Sequence, residues 1–304
     1  MTTGRELVVA NAPVSYGAFE LTVGIMPDVP DGDTVLDEVA GAGYAGIDLG
    51  PVGYLGSADD LGAGLARRGL ALAGGFFELP FSDHARMPGA LAGLGSLLDV
   101  FDSVGAKNGL KPRPTLADSG SDLRRSRPGQ AAHDRSLGLD AEGWRRFAEG
   151  VEMAITVCGE RGYVPTFHHE TGTLVEAPWE IERVLEETSI GLCLDTGHLL
   201  VGGGDPVRAI RDWRERINHL HLKDARRSVV EAIVRESAPA SEIWRRKAFC
   251  RLGAGDLDVD AVLDAIRGSY SGFIVVEQDV LPERNGTAAA DQRANREYLA
   301  ARGF

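Results

Sequence analysis

Five of the seven histidines in this chain fall between positions 168 and 221, in short segments that also hold carboxylates. VPTFHHE carries His168, His169 and Glu170; LCLDTGH carries Asp195 and His198; INHLHLKD carries His219, His221, Lys223 and Asp224; FIVVEQD carries Glu277 and Asp279. Imidazole and carboxylate without thiolate form a donor set for Mn, Mg, Co or a similar divalent ion rather than for a structural zinc. Side chains alternate along an extended run, so His168 shares a face with Glu170, and His219, His221 and Lys223 share another. One donor from each segment gives the set Glu170, Asp195, His221 and Glu277. Unpaired buried charges are expensive and a cation offsets that cost, which favours a common metal site over four unrelated residues. Each residue alone also has a structural role open to it: Asp195 as a helix cap, His219 as a core histidine, Lys223 as a lysine facing solvent.

Those four segments must be brought together by the elements that carry them. Short apolar runs at 7–13, 44–50, 71–79, 106–112, 164–170, 190–196, 217–224 and 272–279 read as eight strands. Amphipathic stretches at 34–42, 58–68, 87–104, 141–162, 177–187, 205–214, 258–268 and 287–301 read as helices, with Asp33 and Asp140 as expected caps. Eight alternating units with continuous apolar strands predict an α/β fold, a (β/α)8 TIM barrel formed by a single domain over 1–304. A doubly wound open sheet is disfavoured, because no GxGxxG turn follows the first strand. The long segments 112–139 and 225–258 read as extended loops after strands four and seven, at the catalytic face where a lid would sit.

The composition narrows the partners. At 304 residues and 43% hydrophobic the chain can bury a large core. A formal charge of −13 repels phosphate backbones and anionic lipid, so neither nucleic acid nor membrane is an expected partner. Cys158, Cys193 and Cys250 give neither a disulfide framework nor a zinc pattern, and a cytoplasmic location is expected. The opening MTTGRELVVANAP has no export-signal pattern, and no 18-residue apolar stretch occurs.

At these residues the sequence resembles the xylose isomerase-like barrel superfamily of sugar isomerases, epimerases and dehydratases. The resemblance spans nearly the whole chain. FHHETGTLVEAPWEIERVL, GLCLDTGHLLVGGGDPVRAIR, INHLHLKDAR and FCRLGAGDLDVDAVLDAI look most like inosose dehydratases, and NAPVSYGAFE and GYAGIDLGPVGYLG are similar to the same branch. The resemblance implies metal ligands at Asp195, His221 and Glu277, with Glu170 or His168 as the ligand from strand five.

It further implies proton abstraction beside a metal-polarised carbonyl, with His168 or Glu170 as base and His198 or Lys223 as acid or oxygen contact. Ser15, Tyr16, Glu78 and Lys111 are further candidates at the same rim. The expected activity is dehydration of a keto-cyclitol, with ketose isomerisation or epimerisation as the alternative. The expected cofactor is Mn, with Co, Mg or Zn able to replace it. The expected partner is a small sugar or cyclitol, and self-association into a homo-oligomer fits. A metal-dependent endonuclease is disfavoured by the acidic balance, and a non-catalytic sugar binder by the full set of titratable groups.

Overall fold

The computed structural model describes residues 7–284 and 286–304, so the start of the expected unexported amino terminus, residues 1–6, lies outside the described residues. Its main strands are β1 (Leu7–Asn11), β2 (Gly46–Ile47), β3 (Ala71–Leu72), β4 (Gly74–Leu79), β5 (Arg113–Asp118), β6 (Thr166–His168), β7 (Gly191–Asp195) and β8 (Ile217–Leu222). A short antiparallel pair, β9 (Asp224–Ala225) and β10 (Phe249–Cys250), follows, and β11 (Gly272–Val276) completes the sheet. The nine main strands pair in parallel in the order β3-β2-β1-β11-β8-β7-β6-β5-β4. Only Ala73 separates β3 from β4. β3 pairs with β2 and β4 with β5, so this one broken strand closes the ring into the expected barrel.

The helices are α1 (Gly32–Gly41), α2 (Ala58–Arg67), α3 (Met87–Val104), α4 (Asp122–Arg125), α5 (Ala141–Glu160), α6 (Pro178–Glu187), α7 (Thr196–Val201), α8 (Pro206–Asp212), α9 (Arg227–Glu236), α10 (Ser241–Arg245), α11 (Val259–Ile266) and α12 (Ala288–Ala300). Their apolar faces pack on the outside of the strands in one large core. Asp140 caps α5 as expected, accepting from Gly143 N at 2.7 Å. The α1 cap is Asp31 rather than Asp33: Asp31 accepts from Thr34 N at 2.8 Å, while Asp33 lies in the first turn and pairs with Arg68. Among the described residues no helix is long and apolar enough to cross a membrane.

The inside of the barrel is divided by composition. Ala10, Ala12, Ala71, Ala73, Phe273 and Val275 form a small apolar cluster on the side of β1, β3 and β11. Across from it the inward positions are Thr115, Thr166, His168, Cys193, His219 and His221, all buried. The register aligns them, with His168 opposite Cys193, Cys193 opposite His219, and Asp195 opposite His221. Polar groups therefore concentrate on β6, β7 and β8, where the sequence concentrates its histidines.

The fourth barrel strand lies at 113–118, not at 106–112. Residues 107–110 make a small turn closed by a bridge between Lys107 and Leu110, and β5 begins only after Pro112. Pro114 sits inside β5 opposite Gly75, and a proline within an extended run reads as a loop. Lys111 consequently precedes the strand, donates to Gly162 O at 3.0 Å and stands at the end of the barrel opposite the catalytic face. The following loop, 119–139, is anchored by Arg124 of α4, which is fully buried. Its guanidinium donates to Glu180 at 2.6 and 2.9 Å and to Glu176 at 3.4 Å. The expected insertion at 225–258 begins in β9 and ends just short of α11. Asp224 stitches it shut by accepting from the backbone N–H groups of Gly253, Gly255 and Leu257 at 2.9–3.0 Å.

Candidate metal centre

The carboxyl ends of β6, β7, β8 and β11 deliver their side chains to one cavity of about 100 Å³, roofed by Phe19 and Trp244. Asp195 ends β7 and is fully buried. Its Oδ1 accepts from His198 N at 2.8 Å and so caps α7, while Oδ2 faces the cavity and Lys223 Nζ at 3.1 Å. The cap and ligand readings of Asp195 are thus compatible, one oxygen serving each. His221, at the end of β8, places Nδ1 3.0 Å from Glu277 Oε2 and 3.7 Å from Asp195 Oδ2. Donor atoms of Asp195, His221 and Glu277 all lie within 4.8 Å of one another.

From β6 it is His168, not Glu170, that joins this group. His168 Nε2 lies 3.5 Å from Asp195 Oδ2. Donor atoms of His168, Asp195 and His198 also fall within 4.8 Å of one another, and among the described residues Glu170 belongs to no such cluster. The reason is depth. β6 stops at His168, and the chain then turns, with Glu170 N bonded to Val175 O at 3.1 Å, so Glu170 sits higher on the cavity wall. Burial pushes its carboxyl up to about 8, with Glu78 and Asp279 adding to the rise against His198 and Lys223. Its Oε2 makes no hydrogen bond.

Lys223 is buried at the centre rather than solvated. Its Nζ lies 2.7 Å from Asp279 Oδ1, 3.1 Å from both Asp195 Oδ2 and Glu277 Oε2, and 3.2 Å from His198 Nε2. Burial opposes its charge, but Asp195, Asp279 and Glu277 outweigh burial and hold the amine well above its usual range. Burial likewise opposes the ionised form of Asp195, and Lys223 and His198 reverse it, so that carboxyl lies well below the usual range. For His221 burial is outweighed by Cys193 and Glu277, with Asp48 also holding it toward the charged form. Burial lowers His168 to about 4, which keeps its imidazole neutral, the form that binds a metal.

His198 has Thr171 Oγ1 2.9 Å from Nδ1, and Asp279 Oδ2 lies 3.5 Å from Nε2. His169 points away from this group and accepts from Asp195 N at 3.2 Å, which fixes the strand end. His219 lies one layer deeper, buried, with its ring held neutral by burial and by His221.

The donor set fits a divalent cation on the chemistry of the chain itself. Asp48, Asp195, Glu277 and Asp279 are all buried, and these four carboxylates face Lys223 and His221. Buried carboxylates in excess of cations are costly, and a divalent ion would offset that excess.

The other rim candidates lie outside the group of donor atoms. Ser15 accepts from Gln278 N at 3.0 Å, Tyr16 lines a neighbouring cleft, and Glu78 is exposed. Sequence reasoning missed Asp48, Glu20, Phe19, Phe76 and Trp244, which line the cavity. Asp48 was within reach, since it lies at the carboxyl end of the second expected strand. Trp244 lies in the insertion, where no periodicity points inward.

A family model for xylose isomerase-like TIM barrels matches residues 36–300. This chain belongs to the xylose isomerase-like TIM barrel family. Among relatives in that family, the inosose dehydratase of Geobacillus kaustophilus is 31% identical over 256 residues, covering 82% of this chain and 80% of that one. The inosose dehydratase of Bacillus velezensis is 28% identical over 264 residues, covering 84% and 85%. Among solved structures, the IolI protein with a bound zinc atom superposes with a TM-score of 0.68 at 13% identity, covering 97% of each chain. That likeness supports the fold.

Proposed function

We propose that this chain is a divalent-metal-dependent lyase that removes water from a small keto-cyclitol of the inosose type. The reading is carried by the convergence of Asp195, His221 and Glu277, with His168 beside them, at the carboxyl ends of adjacent barrel strands. The choice of substrate follows the inosose dehydratases to which the chain is similar. His168, Asp195, His221 and Glu277 would hold the cation, and two imidazoles with two carboxylates suit Mn, and also Co or Zn, better than Mg. When bound, such an ion polarises a carbonyl and lowers the cost of removing the proton on the neighbouring carbon.

The remaining steps belong to the chain's own side chains. Glu170, free at Oε2 on the cavity wall, takes the proton from carbon and returns it to the departing hydroxyl. A carboxyl whose pKa is pushed up to about 8 can do both near neutral pH. Lys223, kept charged by three carboxylates, faces the oxygen on which negative charge develops. His198, oriented through Nδ1 by Thr171, holds Lys223 from behind. Phe19 and Trp244 stack with ring centroids 6.0 Å apart and line the cavity. At about 100 Å³ the cavity suits a small substrate only.

Incubating the protein with Mn and a panel of keto-inositols and ketoses in deuterated water tests the proposal. Formation of a dehydrated dione is expected. Deuterium incorporation without loss of water would replace dehydration by isomerisation or epimerisation.

A further inference from the structure

His221 has a carboxylate on each side of its ring. Nδ1 faces Glu277 and Asp195, and Nε2 lies 3.5 Å from Asp48 Oδ2. Asp48 follows directly on β2, and its backbone N–H donates to Asn11 O at 2.8 Å. Its side chain enters the barrel below His221, is 4% exposed, and leaves Oδ1 without a hydrogen bond. Gly74 makes the room for it: a Cβ there would stand 3.1 Å from Asp48 Oδ1 and 3.2 Å from Thr115 Oγ1. The four proposed ligands do not require this acid. A lone buried carboxylate is expensive unless it meets a donor, and the imidazoles within reach are His221 and His219.

We propose that Asp48 is a positioning residue of the metal centre: it receives the Nε2 proton of His221 and thereby commits Nδ1 to the side of Asp195 and Glu277. The inference rests on the metal reading above. A neutral imidazole can carry its proton on either nitrogen, and the hydrogen bond made by one nitrogen decides which is free to bind a metal. A carboxylate behind the ring also fixes its plane and raises the basicity of the ligating nitrogen. The 3.5 Å separation exceeds a formed hydrogen bond by about 0.3 Å, which a small rotation of the Asp48 side chain closes. The alternative for the same atoms is a second ion held by Asp48, His219 and His221, whose donor atoms lie within 4.8 Å of one another. Uptake stoichiometry separates the two.

The test is a zinc titration of the metal-free full-length protein against a chromophoric chelator, with wild type, Asp48→Ala, Asp48→Asn and His221→Asn compared. Thermal unfolding of each metal-free variant checks folding. The wild type should take up one equivalent. Asp48→Ala should keep that stoichiometry with affinity lowered roughly 10- to 100-fold. Asp48→Asn, which retains an oxygen acceptor, should recover most of the loss; if the alanine variant does not fold, the position of the His221 proton carries the test. Long-range nitrogen–proton NMR of the zinc-loaded wild type should show His221 protonated at Nε2. Unchanged affinity in both folded Asp48 variants, or a proton on Nδ1, overturns the inference while leaving the metal centre standing. Two equivalents in wild type and one in Asp48→Ala would make Asp48 a ligand and also overturn it. A wild type that takes up no zinc removes the metal reading and this inference with it.

Discussion

Glu277 shows how the charges of the centre depend on one another. It lies 3.0 Å from His221 Nδ1 and 3.1 Å from Lys223 Nζ, and these two cations, against the effect of burial, hold it below the usual carboxylate range. Glu277→Gln keeps the shape and deletes the charge. Several kcal/mol of transition-state stabilisation are then lost, so Mn-supported turnover should fall by roughly a hundredfold or more, with metal content by atomic spectroscopy falling in parallel. Full turnover in a metal-free Glu277→Gln protein would end the metal mechanism. At this scale the sequence was legible wherever two simple facts sufficed, alternation along a strand and placement at its carboxyl end. Asp195, His221, Lys223 and Glu277 follow from those facts. The choice between His168 and Glu170 does not, because both share a face. It depends on where β6 stops, which is set by the backbone bond from Glu170 N to Val175 O.

The loop between β5 and α5 is held by a buried ion cluster rather than by apolar packing alone. Arg124 is gripped by Glu180 and Glu176, and Glu176 Oε1 in turn accepts from Gly129 N at 2.9 Å and Gly172 N at 3.2 Å. Gly172 follows Thr171, the residue that orients His198, so the cluster reaches the cavity through one residue of backbone. Arg124→Met would fill much of the same space but leave two buried carboxylates without their cation. Breaking such a cluster costs about 3–5 kcal/mol, a loss that urea unfolding should record as a lower midpoint with unchanged slope. A midpoint within error of wild type would show that the loop is held by other contacts. The elements themselves were largely readable from hydrophobic period, with β5 as the exception. Pro112, Arg113 and Pro114 mask a buried strand, because proline removes the local signal while the parallel pairing with β4 and β6 restores the strand. Tertiary pairing of that kind leaves no trace in a window of sequence.

At the scale of the whole molecule, the barrel keeps an electrostatic cost at its centre that a bound cation would relieve. The chain carries a formal charge of −13, and four of its carboxylates are buried together beside Lys223 and His221. The folded protein presents these groups as a preformed cluster, whereas the unfolded chain disperses them along more than two hundred residues, from Asp48 to Asp279. A divalent ion should therefore bind the folded state far better than the unfolded one, and stability should rise with its free concentration. At about 100 times the dissociation constant the gain is about 2.7 kcal/mol. With an unfolding entropy of about 2.1 cal/mol/K per residue, that gain raises the midpoint of a chain of 304 residues by about 4 °C. Calorimetry of protein stripped with chelator and then titrated with Mn should show this rise, with a shift that grows as the logarithm of free metal once the site is saturated. In Glu277→Gln the same titration should give little or no shift. A stripped protein whose midpoint does not move with Mn, Co or Zn would mean that Lys223 and His221 already balance the buried carboxylates without a cation.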